Sequence, residues 1–335
     1  MANDPTSLIK RFRIDDPERF RLAPFDPADT GGLALDKEAA GAMLARDAEC
    51  LAQLQDRLYA HGQWALLVVL QGMDTAGKDG VIKHVMNGIN PQGCNVHSFK
   101  APTGEELDYD FLRRAAIRLP TRGRIGIFNR SHYEEVIVVR VHPDMLMRQK
   151  LPPSVLGKDI WNERFEDIRA FELHLARNGI VTLKFFLHIS KEEQRRRLLA
   201  RLSDPTKQWK FSMGDIIERK LWDAYMAAYE DVIRATSARK APWYVVPADH
   251  KWFARLIVGR VILDALEHLD LDYPKVEGGA RLLKELAGCL KRTDSAITRK
   301  RGSGFHRGRV ADHMVPRKHS EIEAIAGGGY RSAAA

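Results

Sequence analysis

"WALLVVLQGMDTAGKDG", residues 64 to 80, decides the fold, because an apolar run passes straight into a glycine-rich turn and then into a helical pattern. The unbroken stretch from Trp64 to Leu70 lacks in-out alternation, which describes a strand buried on both faces, as in a parallel sheet. Gly72, Gly77 and Lys78 then satisfy G-x-x-x-x-G-K, a loop whose backbone N–H groups cradle phosphate where a helix begins. Two positions depart from that rule. Asp79 stands where Ser or Thr usually meets a metal ion, and Asp74 sits inside the loop itself. The order strand, glycine loop, helix nevertheless favours a phosphate loop over a glycine turn with a solvated lysine.

Working outward, further strands are expected at 94–99 (CNVHSF), 124–129 (RIGIFN), 180–189 (IVTLKFFLHI) and 243–248 (WYVVPA). Helices are expected from Lys37 to about Ala60, at 105–118, 159–178, 190–202, 215–238 and 250–269. Strands alternating with helices specify an α/β fold with a doubly wound parallel sheet of about five strands and helices on both faces. Residues 1–35 read as an irregular N-terminal arm and 36–290 as one P-loop kinase-like catalytic domain. Residues 291–335, basic and rich in Gly and Ser, read as a flexible tail.

The formal net charge of +9 points to an anionic partner. Nucleic acid, an anionic membrane surface and a polyphosphate-type substrate all satisfy that requirement. There is no apolar run of about 18 residues and no apolar signal core at the N-terminus, so a cytoplasmic protein is expected. With no nucleic-acid recognition module either, neither membrane nor nucleic acid is the expected partner. Cys50, Cys94 and Cys289 are odd in number and have no histidines at ligand spacing, so they read as buried free thiols.

The acids in the loop make sense if a cation stands between them and phosphate, since a bare carboxylate beside phosphate is repelled. Asp74 is the expected Mg²⁺ ligand, because Mg²⁺ favours one or two carboxylates plus phosphate oxygens. Asp79 is either a second acid near the metal or a helix-start residue favoured by the dipole. Gly72, Thr75, Ala76 and Gly77 form the cradle, with Lys78 spanning the transferring phosphates. The 124–129 strand ends beside this loop, putting Asn129 where an acid normally holds metal and water. Arg130 follows, facing the ligand crevice of such sheets. His132 is either a buried structural histidine or part of this edge.

"SKEEQRRRLLARLSDPTKQWKFS", residues 190 to 212, carries Arg197 and Arg201 four apart on one helical face, then Lys207 and Lys210. It reads as a lid, within about 190–220, that closes cations over phosphates. The second strand's end borders the acceptor side, which brings in Lys100 and Thr103 as nucleotide contacts.

Taken in order, "LQGMDTAGKDG", "FNRSHYEEVIVVRVHP", "RLSDPTKQWKFS" and "APWYVVPADHKWFAR" resemble the polyphosphate kinase 2 family over about residues 20 to 270. The resemblance implies transfer of the terminal phosphoryl group of inorganic polyphosphate to AMP or ADP, with Mg²⁺, in a homo-oligomer (dimer or tetramer). It puts Asp74 and Lys78 in the phosphate and metal site, Asn129 and Arg130 in the Walker B place, and Arg197, Arg201, Lys207 and Lys210 in the lid. Many members have Asp where this chain has Asn129. "FNRSHYEEV" is similar to the subgroup accepting both AMP and ADP; guanine nucleotides stay open as acceptors. An ordinary ATP-dependent P-loop kinase is the rival reading, and it would normally show Ser or Thr after Lys78.

Overall fold

The computed structural model describes residues 5–33, 37–276 and 278–302. Five strands form one parallel sheet: β1 (Ala65–Gln71), β2 (Cys94–Ser98), β3 (Ile125–Asn129), β4 (Ile180–His188) and β5 (Trp243–Pro247). Their spatial order is β2-β3-β1-β4-β5. All five expected strands are present, and β1, every residue of which is buried, lies centrally between β3 and β4. The chain order reverses across β1, and this switch point opens a crevice at the strands' carboxyl ends.

Among the described residues, twelve α-helices surround or follow the sheet. The N-terminal pair is α1 (Pro5–Lys10) and α2 (Lys37–His61); α3 (Lys78–Val85) leaves the glycine loop. Then come α4 (Arg113–Ala116), α5 (Glu134–Val141), α6 (Pro143–Met147) and α7 (Ile160–Arg177). The remaining five are α8 (Lys191–Ser203), α9 (Met213–Lys220), α10 (Trp222–Thr236), α11 (Lys251–Glu267) and α12 (Gly279–Gly302). No helix among the described residues is long and apolar enough to cross a membrane.

The N-terminal arm is anchored to the sheet. Ile14 N donates to Trp243 O (2.9 Å) and Val245 N donates to Phe12 O (2.9 Å), so the arm pairs antiparallel with the outer edge of β5. Phe12 and Ile14 are buried there, and an edge that would otherwise present free backbone groups is covered.

Three expectations need correction. The helix expected over 105–118 is broken into a 3-10 turn at Glu106–Asp108 and the four-residue α4. Local side-chain bonds compete there with a continuous helix: Asp110 Oδ1 accepts from Leu112 N (2.9 Å) and Arg113 N (3.1 Å). The single helix expected over 215–238 is two, α9 and α10, meeting at Leu221, where a 3-10 bond from Leu221 N to Glu218 O closes the first. The chain divides into compact units at 1–274 and 275–335, and α12 runs from Gly279 to Gly302; the tail expected over 291–335 lies mostly outside the described residues, at 303–335. No disulfide forms among the described residues, but Cys50 and Cys289 are exposed and Cys94 is half-buried, where buried thiols were expected.

Candidate active site

The glycine loop takes its shape from steric need. Gly72 has φ 151°, and a Cβ there would lie 2.9 Å from Leu187 O on β4, so only glycine lets the loop leave the sheet this closely. Gly77 has φ 112° and opens α3. Between them Thr75 is held in the left-handed region at φ 64°.

Lys78 turns back over the loop. Its Nζ donates to Gly72 O (2.6 Å) and Met73 O (3.2 Å), and the residue is 9% exposed. Burial, and then the nearby Arg130 guanidinium, lower its pKa to about 8, while Asp74, Glu134 and Asp79 act in the opposite sense. The ammonium therefore sits near a site whose negative charge is incomplete.

β3 delivers its end beside the loop as expected: Leu70 pairs with Asn129, and Arg130 N donates to Leu70 O (3.0 Å). Arg130 also has φ 62°, which turns its side chain off the strand direction. It bridges two acids, with Nη2 to Asp74 Oδ1 at 2.5 Å and Nη1 to Glu134 Oε2 at 2.9 Å. Glu134 and burial contribute most to its electrostatics, and the net effect raises its pKa. Asn129 Nδ2 donates to Asp79 Oδ1 (2.9 Å), so Asp79 is both a first-turn acid of α3 and a partner of the β3 edge. Its other oxygen lies 3.6 Å from Lys210 Nζ in the 3-10 turn after α8.

A cleft of about 620 Å³ opens over the loop. From the loop and β3 it receives Asp74 through Asp79, Asn129 and Arg130; from the β2 end, Lys100; from α8 and the segment after it, Arg197, Arg201, Lys207 and Lys210. Arg201 donates from Nη1 to Asp215 Oδ2 (3.1 Å), which is fixed in the capping box at the start of α9. A second cavity of about 330 Å³ adjoins the cleft and shares Asp74, Phe99, Lys100 and Arg130 with it. Its far wall is formed by Val138, Met145, Tyr225 and Tyr229, and Gly72 lines it as well. Burial raises the pKa of both tyrosines, which stay neutral.

Thr103 lines neither cavity. It caps the 3-10 turn instead, with Glu106 N donating to its Oγ1 (3.3 Å) and its own N donating to Glu106 Oε2 (2.9 Å). His132 is buried between Tyr133 and Phe171, and burial drops its pKa to about 3. Two basic residues of the cleft were missed in the sequence: Lys251 and Arg255, one turn apart at the start of α11. The usable signal was a Lys-x-x-x-Arg pair in the first turns after the last strand, the edge where this sheet type binds ligands.

The polyphosphate kinase 2 (PPK2) family model matches residues 34–274. The chain is 49% identical over 278 residues to an ADP-polyphosphate phosphotransferase of Rhodopseudomonas palustris, covering 83% of this chain and 95% of that one. It is 46% identical over 269 residues to an AMP/ADP-polyphosphate phosphotransferase of Meiothermus ruber, covering 80% and 97%. The crystal structure of polyphosphate kinase 2 from Arthrobacter aurescens TC1 superposes with a TM-score of 0.77 at 41% identity, covering 85% of this chain and 97% of that one. With the family model spanning the whole sheet, the glycine loop and α8 to α11, the chain belongs to the polyphosphate kinase 2 family.

Proposed function

We propose that this protein transfers the terminal phosphoryl group of inorganic polyphosphate directly to AMP or ADP, with guanine nucleotides as a further acceptor class. It is a phosphotransferase, a polyphosphate-driven nucleotide kinase rather than an ATP-dependent one. One observation carries the assignment of the two substrates to two places: a cleft walled by lysines and arginines meets a partly apolar cavity at Asp74, Lys100 and Arg130. The cleft suits a donor that is all phosphate. The adjoining cavity, with Phe99 and Val138 in its wall, suits a nucleoside whose terminal phosphate reaches the junction.

Transfer at that junction requires the acceptor oxygen, the transferring phosphorus and the leaving chain in line. Lys78 and Arg130 neutralise charge on the transferring group, and the lid residues Arg201, Lys207 and Lys210 hold the leaving chain. Positioning and electrostatics supply the catalysis, so no residue serves as a covalent nucleophile. His132, buried and neutral, is not needed as a phosphate carrier.

The acids at the junction fit Mg²⁺. Asp74 and Asp79 both line the cleft, and no group of three metal-ligating side chains occurs among the described residues. That donor set suits an ion completed by phosphate and water oxygens, with Asp74 as its protein ligand. When bound, Mg²⁺ neutralises and orients phosphate oxygens. Asp79 then holds Asn129 and the lid rather than the ion. A cytoplasmic homo-oligomer, dimer or tetramer, belongs to the same reading and rests on the family resemblance.

The test uses purified protein, Mg²⁺ and long-chain polyphosphate with AMP, ADP, GMP or GDP separately, the products being separated by chromatography. ADP and ATP accumulate in the adenine mixtures. No nucleotide phosphorylation from polyphosphate in any mixture overturns the reading.

A further inference from the structure

Arg197 behaves unlike every other cation of the cleft. A guanidinium has five N–H donors, and this one meets five protein acceptors. Nε donates to Glu193 Oε1 (2.6 Å), Nη1 to Thr75 O (3.0 Å) and Ala76 O (3.1 Å), and Nη2 to Ala248 O (2.6 Å) and Asp249 O (2.9 Å). The side chain is 8% exposed, and so is its counter-charge, Glu193. Arg201, one turn further along α8, engages only Nη1 among the described residues and keeps its other nitrogens for a ligand.

The acceptors lie on three separate parts of the fold: α8 itself, the phosphate loop, and the turn from β5 into α11. Two of them belong to the loop's most constrained segment. Thr75 is left-handed at φ 64° and Gly77 sits at φ 112°. In a trans peptide the carbonyl and the following N–H point in opposite directions. Holding Ala76 O against Arg197 therefore turns the Gly77 N–H away from the guanidinium, as the first of the unpaired donors at the start of α3. Holding Thr75 O turns the Ala76 N–H back into the loop, where it donates to Met73 O (3.1 Å).

We propose that Arg197 is a positioning residue, which fixes the peptide planes after Thr75 and Ala76 and so aims the Gly77 N–H at the donor phosphate, without touching phosphate itself. This replaces the sequence expectation that Arg197 belongs with the phosphate-binding lid cations, and it rests on the donor site proposed above. The role depends on the fork shape of the guanidinium. A lysine carries the same charge but cannot span four carbonyls on two segments.

The test compares R197K, R197Q and R201Q with the wild type in three measurements: steady-state kinetics, salt dependence of polyphosphate binding, and hydrogen exchange of the amides from residue 73 to 78. R197K and R197Q both lower kcat, by about 100-fold, with a smaller change in KM for polyphosphate. Their loop amides exchange faster. The slope of log affinity against log salt stays at the wild-type value in R197Q but falls by about one in R201Q, because only a cation in contact with phosphate releases a counterion. Near wild-type kcat in R197K together with a reduced salt slope in R197Q overturns the proposal and makes Arg197 a direct phosphate contact. Unchanged loop exchange in R197K and R197Q overturns it as well. If the wild type neither binds nor uses polyphosphate, the donor reading fails, yet the exchange comparison still decides whether Arg197 orders the loop.

Discussion

Two lysines are buried among the described residues, and their surroundings separate structure from chemistry. Lys184, in the middle of β4, is fully buried and has a complete set of partners: Glu172 Oε2 at 2.6 Å, Thr236 O at 2.7 Å and Tyr133 Oη at 3.0 Å. Burial lowers its pKa and raises that of Glu172, and the ion pair between them opposes both shifts. Lys78 is nearly as buried but donates to two backbone carbonyls, while Arg130 takes up the neighbouring acids Asp74 and Glu134. A buried charge without a matching counter-charge is costly, and an incoming phosphate relieves that cost. Lys184 has its anion built in, whereas Lys78 waits for one from solution.

The largest expected effect breaks the second half of that contrast. Lys78→Ala lowers kcat/KM for polyphosphate by about 1000-fold, on the scale of losing one preorganised stabiliser or more. Its melting temperature stays near or above the wild-type value, because an under-neutralised buried charge has been removed. Activity within tenfold of wild type would make Lys78 a spectator.

Lys184→Met should do the reverse. Leaving Glu172 buried without its cation destabilises the fold by about 3 to 5 kcal/mol, read from urea unfolding, while the folded fraction retains its turnover number. Adding Glu172→Leu restores most of the stability. A single variant as stable as wild type would show that the pair is not the closed unit described here.

The pH dependence is a smaller lever on the same contrast. A lysine whose pKa is depressed to about 8 loses its charge as pH rises through that value. The rate constant kcat/KM for polyphosphate therefore falls about tenfold per pH unit above 8. The residual activity of Lys78→Arg stays flat across the same window, because its guanidinium remains charged. A wild-type profile flat to pH 10 would contradict the assignment. The smallest effect is expected at Asp79, whose carboxylate is 72% exposed in its contact with Lys210. Such a pair contributes about 0.2 to 1 kcal/mol, so Asp79→Asn should change KM for polyphosphate by at most about fivefold in steady-state assays.

The sheet was readable because β1, β3, β4 and β5 are apolar runs ending at turn residues, and both faces of the central strands are covered. The loop was readable because Gly72 and Gly77 are demanded by backbone geometry, which leaves a mark in sequence. What escaped depended on contacts distant in the chain. Arg197 looks like any other arginine of a basic helix until Thr75, Ala76, Ala248 and Asp249 are brought around it. Lys251 and Arg255 reach the cleft only because α11 starts at the same sheet edge as α3. Thr103 caps a turn and lines neither cavity, which the sequence does not reveal because a polar residue after a strand end looks the same whether it faces a ligand or caps a turn. Continuous helix was expected over 105–118 because helix-forming residues surround Asp110, whose side chain claims the next backbone donors for itself.

The central claim is that Lys78 is a buried cation completed by phosphate of the donor. Its most direct test is the titration of the Lys78 ε-carbon by NMR in protein labelled at lysine, assigned with Lys78→Arg, in the absence and presence of tripolyphosphate. The account predicts a midpoint near 8 in the free protein and one above about 10 when tripolyphosphate is bound. A midpoint near the ordinary lysine value in the free protein, or one that tripolyphosphate leaves unmoved, would contradict it.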